Sequence, residues 1–286
     1  MSATTYLVFG DLHGRILPAF RLALAWQREH GVRVDGLLQV GDLGYFPDAT
    51  RLDKATKRHA EKDPLELGTQ QVAAPSRLAD AIFSDPDVPQ ALWFTAGNHE
   101  DHEALKSWEH GAGATAADFP VDAYLRVRCL RDGRVATLAG GLRVGALWGI
   151  DDEAPNARRK VPPLARVSER SATHLSYEQF DVLLMHEAPR DGIFEGAGSE
   201  LISAVIELAQ PAFAFFGHYH AEGRLTECDF GATQVYHLHG LEFREHGGAA
   251  EARSVGVLRW HDGSGRFEYL DPTWLRSVTR HNWAQR

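Results

Sequence analysis

The chain has 286 residues, of which 44% are hydrophobic and 24% charged, the composition of an ordinary globular protein with room for a sizeable core. Its net charge of −9 argues against a broad nucleic-acid-binding surface. The two cysteines, Cys129 and Cys228, fit no disulfide or Cys-x-x-Cys pattern. No apolar stretch reaches the roughly 18 residues that span a bilayer. We therefore expect a cytoplasmic protein that does not bind membranes.

Three short apolar runs in the first hundred residues predict buried strands, at 6–9, 36–40 and 91–95. The spacing of apolar residues predicts a helix over 15–29, after the first strand, and another over 76–83, before the third. Strands that alternate with helices are typical of α/β folds with parallel sheets.

Two segments depart from this alternation. Within residues 46–75, a charged stretch at 51–62 is bounded by Pro47 and Pro64, which predicts either a solvated helical insertion or a lid over the sheet edge. Residues 272–286 form a polar C-terminal tail. Neither segment looks like a linker and the chain contains no repeat, so we expect one domain over 1–286.

The second half of the sequence begins with a different pattern of apolar and polar residues. Residues 125–148 alternate between apolar and polar and are divided by glycine-rich turns, a pattern typical of antiparallel strands with one buried face. Continuous apolar runs at 181–185 and 212–216 predict two more buried strands, with a helix over 199–209 between them.

Five of the predicted buried strands are followed at once by side chains that can bind a metal ion. These side chains are Asp11, His13, Asp42, Asn98, His186, His218 and His220. Parallel strands bring their carboxyl ends to one edge of a sheet, so the residues should meet there. A set of carboxylates, imidazoles and an amide without thiolates suits first-row divalent ions. Seven ligands exceed the needs of one tetrahedral ion but suffice for two ions that share a carboxylate.

The ordered motifs resemble those of the calcineurin-like metallophosphoesterases. They are Gly10-Asp11-Leu12-His13-Gly14, Gly41-Asp42, Gly97-Asn98-His99-Glu100, His186 and Gly217-His218-Tyr219-His220. The resemblance implies an α/β fold, a four-layer α/β/β/α sandwich of two mixed sheets. It also implies a dimetal site at the C-terminal edge of the strands.

The resemblance also implies roles for single residues. One divalent ion would be held by Asp11, His13 and His220. The other would be held by Asn98, His186 and His218, with Asp42 bridging both. Manganese is the favoured metal, and iron, zinc or nickel are possible. His99 resembles the family's non-ligand histidine, which contacts the substrate phosphate or protonates the leaving oxygen.

These roles imply phosphoester hydrolysis by attack of a metal-bridging hydroxide on phosphorus. Phosphodiesters or nucleotides are the favoured substrates, because 41–45 lacks the Asp-Arg-Gly extension of Ser/Thr protein phosphatases and because the pair His218 and His220 fits the phosphodiesterase branch. Glu100 stands where many phosphodiesterases have Asp. Asp11 stands where debranching enzymes that resemble the family have Cys, which argues against that activity.

Alternative functions remain at this point. A nuclease or RNA-end-processing phosphoesterase would need a basic groove, which only 158–166 offers. A phosphomonoesterase, including a protein phosphatase, and an inactive scaffold are further possibilities. Arg158 and Arg159 lie either in a solvated charge run or at a substrate phosphate, for which arginine is well suited. Arg15 is either structural or a substrate contact. No obligate protein partner is inferred.

Overall fold

The computed structural model describes residues 3–153, 160–219, 227–244 and 247–286, with only the backbone described for 227–229. Two mixed β-sheets, of seven and six strands, occupy the centre of this described chain. The strands are β1 (Thr4–Phe9), β2 (Gly36–Gln39), β3 (Leu92–Phe94), β4 (Asp118–Pro120), β5 (Val127–Leu130), β6 (Val135–Thr137), β7 (Arg143–Leu147), β8 (Val182–Met185), β9 (Phe213–Phe216), β10 (Glu227–Phe230), β11 (Thr233–His237), β12 (Val255–His261) and β13 (Ser264–Tyr269).

Each sheet has a parallel centre with antiparallel edges. The first has the order β13-β12-β1-β2-β3-β5-β4, and β1, β2, β3 and β5 are parallel. The second has the order β10-β11-β9-β8-β7-β6, and β11, β9, β8 and β7 are parallel. Parallel neighbours end at the same edge, so the loops after β1, β2 and β3, and those after β8 and β9, begin side by side.

The prediction of an antiparallel set over 125–148 is wrong in part. β6 and β7 do form an antiparallel pair, but β5 lies in the other sheet, antiparallel to β4 and parallel to β3. β7 is itself parallel to β8. Alternation of apolar and polar residues reports which face is buried and carries no information about the partner strand, because pairing is a non-local contact.

Helices cover the outer faces of both sheets. The α-helices are α1 (Ile16–His30), α2 (Lys54–Ala60), α3 (Gln70–Ala73), α4 (Arg77–Phe83), α5 (His102–Gly111), α6 (Glu169–Leu175), α7 (Glu200–Ala209) and α8 (Pro272–Arg276). Short 3-10 helices span Ala49–Arg51, Pro64–Leu67, Ala139–Gly141, Pro163–Ala165 and Trp283–Gln285. No helix of the described chain combines the length and apolarity that crossing a membrane requires.

Side-chain alternation along the strands creates the layers. Tyr6 and Val8 of β1 face the second sheet and pack in a cluster that includes Leu184. Their neighbours Leu7 and Phe9 point the other way, into the cluster under α1. A third cluster lies between the second sheet and the pair α6 and α7. The four-layer α/β/β/α sandwich of two mixed sheets is therefore confirmed.

The segment 46–75 is folded and lies against the first motif. It contains two α-helices and two 3-10 helices, and the buried Arg15 guanidinium contacts Asp63 at 2.5 Å and Glu66 at 3.1 Å. A Cβ added at Gly14 would overlap the carbonyl oxygen of Leu65, so the two segments meet backbone to backbone. The C-terminal residues are also attached, because Arg280 pairs with Asp63 at 3.0 Å.

We expect Arg15→Met to lower the free energy of unfolding by about 3–5 kcal/mol, because it leaves Glu66 buried without its cation. Urea denaturation measures the loss. Arg28→Met is the matched control, since Arg28 is half exposed and its pair with Asp85 lies at the surface. That control should cost less than about 1 kcal/mol. Equal losses in the two variants would contradict a buried structural role for Arg15.

Candidate metal centre

The candidate ligands converge where the parallel strands end. Within the described residues, two groups of three side chains place their ligand atoms within 4.8 Å of one another. The groups are Asp11, His13 and Asp42, and Asp42, His186 and His218. Asp42 belongs to both groups, so the geometry fits a carboxylate shared between two neighbouring metal positions. Residues from four different strand ends thus build one centre.

The centre is buried and its backbone is constrained. Asp11 and Asp42 are each 2% exposed, and His186 is fully buried. His13, Asp42 and His218 have φ values of 42°, 51° and 67°, a region that residues other than glycine seldom adopt. The amides of Leu12 and His13 both donate to the Asp42 carbonyl, at 3.0 and 2.9 Å. Such strain persists where the surroundings determine it, and it clusters at functional sites.

The glycines before Asn98 and His218 make this convergence possible. A Cβ at Gly97 would overlap Oδ1 of Asp42, and one at Gly217 would overlap Oδ1 of Asp11. Both approaches are far closer than van der Waals contact. Only a residue without a side chain lets these loops approach the carboxylates so closely.

Asn98 gives a separate test of whether a metal fits. Its Oδ1 atom is buried and has no hydrogen-bond partner among the described residues. An unsatisfied buried acceptor costs about 1–3 kcal/mol. An amide oxygen is also an accepted ligand of hard divalent ions. A metal ion beside Asp42 would satisfy this atom, so the residues present fit such an ion.

The pKa values of the buried side chains show that the centre favours a positive charge beside its carboxylates. Burial lowers the pKa of His186, but the carboxylates of Asp42 and Asp11 raise it to about 9. Burial would raise the pKa of Asp42, yet the charges of His186 and His99 hold it well below its usual range. Burial is also the main reason that the pKa of Asp11 rises to about 7. A bound cation would replace the imidazolium proton, because a ligating histidine must be neutral.

Glu100 ties the third motif to the second. Its carboxylate accepts hydrogen bonds from the amides of Leu43 at 2.8 Å and Tyr45 at 2.5 Å. Burial, assisted by the charge of Asp42, raises the pKa of Glu100 to about 8. Glu100 therefore braces the loop that carries Asp42, a role that motif comparison alone did not reveal.

His99 lies at the edge of the centre and outside both groups of candidate ligands. Its backbone amide donates to Oδ1 of Asp42 at 2.7 Å, and its ring lies 5.8 Å from the ring of His13. Its Nδ1 atom is 2.6 Å from Oδ2 of Asp53, a residue of the segment 46–75. Burial lowers the pKa of His99, but Asp42 and Asp53 raise it to about 9.

Glu242 is a further acidic residue beside the candidate ligands, and the sequence analysis did not predict it. It is 2% exposed, lies 3.5 Å from Nε2 of His13 through Oε1, and pairs with Arg244. It follows β11, which is parallel to β9 and ends at the same edge. It lies five residues after the end of β11, so a rule that examines only the residues directly after a strand does not find it.

Three of the predicted site residues, His220, Arg158 and Arg159, are outside the described residues. Arg15 is 2% exposed, and both of its terminal nitrogens donate hydrogen bonds inside the protein, to Asp63, Glu66 and backbone carbonyls. Its position fits the structural alternative rather than the substrate contact.

Comparison with known families agrees with this geometry. A protein-family model described as Calcineurin-like phosphoesterase matches residues 4–222, which is more than half of the chain and includes all the motifs. The chain belongs to the calcineurin-like phosphoesterase family. It is a metallophosphoesterase, a metal-dependent hydrolase of phosphoesters, and its buried Asp and His cluster is of the kind that binds metal ions.

One solved structure has a similar fold at low sequence identity. The protein TT1561 of Thermus thermophilus has 11% sequence identity and a TM-score of 0.50, covering 94% of this chain and all of its own. A conserved uncharacterized protein of Streptococcus pneumoniae, described as a predicted phosphoesterase, has 11% identity and a TM-score of 0.38, covering 96% of this chain and 92% of its own. The first likeness shows the fold alone. No curated protein sequence matches the chain.

Proposed function

We propose that this metallophosphoesterase uses two divalent ions, preferably manganese, to hydrolyse phosphodiesters or nucleotides. The observation that carries the proposal is the pair of candidate ligand groups that share Asp42. One ion would be held by Asp11, His13 and His220, and the other by Asn98, His186 and His218. When bound, such ions lower the pKa of a coordinated water and neutralise charge on the phosphate.

The side chains of the protein have distinct tasks in this proposal. Asp42 holds the two metal positions in one fixed relation, and the buried His186 contacts the Val40 carbonyl through Nδ1 and so directs Nε2 toward Asp42. His99 stands beside the centre with 27% of its side chain exposed, so a substrate can reach it. As a general acid it would protonate the leaving oxygen, a contribution of typically 10²–10⁴-fold.

A metal and substrate screen tests the function directly. Purified protein with added Mn²⁺ should hydrolyse bis-p-nitrophenyl phosphate faster than p-nitrophenyl phosphate, and a chelator should stop both reactions. If neither compound is hydrolysed in a metal-dependent manner, the enzymatic proposal is wrong. A strong preference for the monoester would retain the reaction and reverse the proposed order of substrates.

The histidines after β9 provide a test of the ligand assignment. We expect His218→Ala and His220→Ala each to remove a different ion, because the two side chains are assigned to separate metal positions. Metal analysis should find about one ion per chain in each variant instead of two. Unchanged metal content and turnover in both variants would contradict the assignment.

Processing of nucleic-acid ends is the second candidate, and the arginines of 158–166 motivate it. Arg158→Ala combined with Arg159→Ala should slow cleavage of an oligonucleotide and spare the small diester. If the double variant cleaves the oligonucleotide normally, these arginines do not form the groove.

We also infer that 1–286 form one metallophosphoesterase domain. Leu275, Val278 and Trp283 of the otherwise polar C-terminal region are buried in the same cluster as α1, which supports this inference. A cytoplasmic location stays a prediction.

A further inference from the structure

Asp53 joins the segment 46–75 to the histidine beside the metal centre. Its Oδ2 atom lies 2.6 Å from Nδ1 of His99, and both side chains are about one-third exposed or less, at 33% and 27%. The family motifs include neither Asp53 nor its segment. A charge-assisted hydrogen bond of this length is among the stronger kinds available in proteins.

The position of Asp53 is determined independently of His99. Its Oδ1 atom accepts a hydrogen bond from the amide of Thr56 at 2.7 Å and so caps the first turn of α2. Two residues earlier, Arg51 makes a bidentate contact with Asp101, the cap of α5, at 2.5 and 2.9 Å. Asp101 follows His99 by two residues in the sequence, so this contact also fixes the segment 46–75 next to His99. The segment 46–75 therefore fixes the position of the Asp53 carboxylate independently of the His99 ring.

The bond decides how the His99 ring is presented. The ring nitrogen bound to a carboxylate carries a proton, so the other nitrogen is the one left for chemistry. With Nδ1 donating to Asp53, Nε2 remains available for a substrate. The contact also restricts rotation of the ring, which would otherwise lose its alignment with the reacting oxygen.

We propose that Asp53 is a positioning residue, which holds the His99 ring through Nδ1 so that Nε2 serves the leaving group. Asp53, one residue of the segment 46–75, then belongs to the active site. This inference rests on the proposed hydrolysis for its catalytic meaning, whereas the hydrogen bond itself can be tested without any substrate.

The variants are chosen to separate positioning from folding. Asp53→Asn keeps an oxygen that can cap α2, since Asn and Asp are equally good caps, but its amide cannot also accept from Nδ1. Asp53→Ser likewise keeps a cap and is too short to reach the ring, and it serves if the first variant folds poorly. Asp48→Asn is the matched control, because Asp48 caps the neighbouring 3-10 helix through Thr50 and does not touch His99.

Kinetics with bis-p-nitrophenyl phosphate and Mn²⁺ give the first readout. Asp53→Asn should lower kcat by roughly 10²-fold with little change in KM or metal content, and Asp48→Asn should match the wild type. Adding His99→Asn to Asp53→Asn should lower kcat no further than His99→Asn alone, because Asp53 acts through that ring. Losses that multiply in the double variant, or a normal kcat in Asp53→Asn, would overturn the proposal.

NMR provides the readout that does not depend on turnover. The Nδ1 proton of His99 should give a low-field resonance that is present in the wild type and Asp48→Asn and absent in Asp53→Asn and Asp53→Ser. If the wild type hydrolyses neither phosphoester, the proposed function is wrong. The resonance still tests whether Asp53 accepts a hydrogen bond from Nδ1 of His99. Persistence of that resonance in both Asp53 variants would overturn the pairing as well.

Discussion

Asp42→Asn is expected to remove the bound metal and to lower phosphodiester turnover by at least roughly 10³-fold. Asp42 is the residue that both candidate ligand groups share, so an amide at this position weakens two metal positions at once. An amide also withdraws the negative charge that attracts a cation into the buried centre. Metal analysis of the purified variant and a bis-p-nitrophenyl phosphate assay at saturating Mn²⁺ measure the two effects.

Asp181→Asn is the control for this substitution. Asp181 is also largely buried and pairs with Arg143 at 2.8 Å, but it precedes β8, whereas the candidate ligand His186 follows the same strand. Its loss should affect stability and leave metal content and kcat near the wild-type values. Full metal content in Asp42→Asn would contradict the shared-ligand assignment, whatever its turnover.

His99→Asn is expected to retain the metal and to lose kcat by roughly 10²- to 10⁴-fold, the range typical for a general acid. The ring belongs to neither ligand group, and the backbone amide that contacts Asp42 is kept in the variant. The effect should be largest for substrates with poor leaving groups, because a good leaving group departs without a proton. Comparing an alkyl phosphodiester with the p-nitrophenyl compound measures that difference.

His102→Asn is the matched control for His99. The ring of His102 is buried in the same region and contacts the carbonyl of Gly97 at 3.0 Å. Burial lowers its pKa to about 4, so it stays neutral and offers no proton near neutrality. An equal loss of kcat for both leaving groups in His99→Asn would assign His99 to phosphate binding instead of proton transfer.

Much of the candidate site could be predicted from the sequence because the rule behind it is local. A short apolar run predicts a buried strand, and the residue after it lies at the strand end. Asp11, Asp42, Asn98 and His186 were all found in this way, and each lies in the described centre or at its edge. The rule does not reach Glu242, which lies five residues after the end of β11.

Other features could not be predicted because they depend on contacts between distant parts of the chain. The assignment of β5 to the first sheet follows from its pairing with β3, which no alternation pattern reports. Arg15 follows a metal motif and looks available to substrate, but its partners Asp63 and Glu66 are about fifty residues away, at separations of 48 and 51.

The sequence by itself determined the family, the alternation of strands and helices, and the identity of the candidate ligands, since these depend on short motifs and their order. Only the tertiary structure decided that Arg15 is buried against the segment 46–75 and that this segment delivers Asp53 to His99. Those facts are distances between residues far apart along the chain. They follow from sheet packing and from the ties of Arg15 and Arg51, which motifs do not encode.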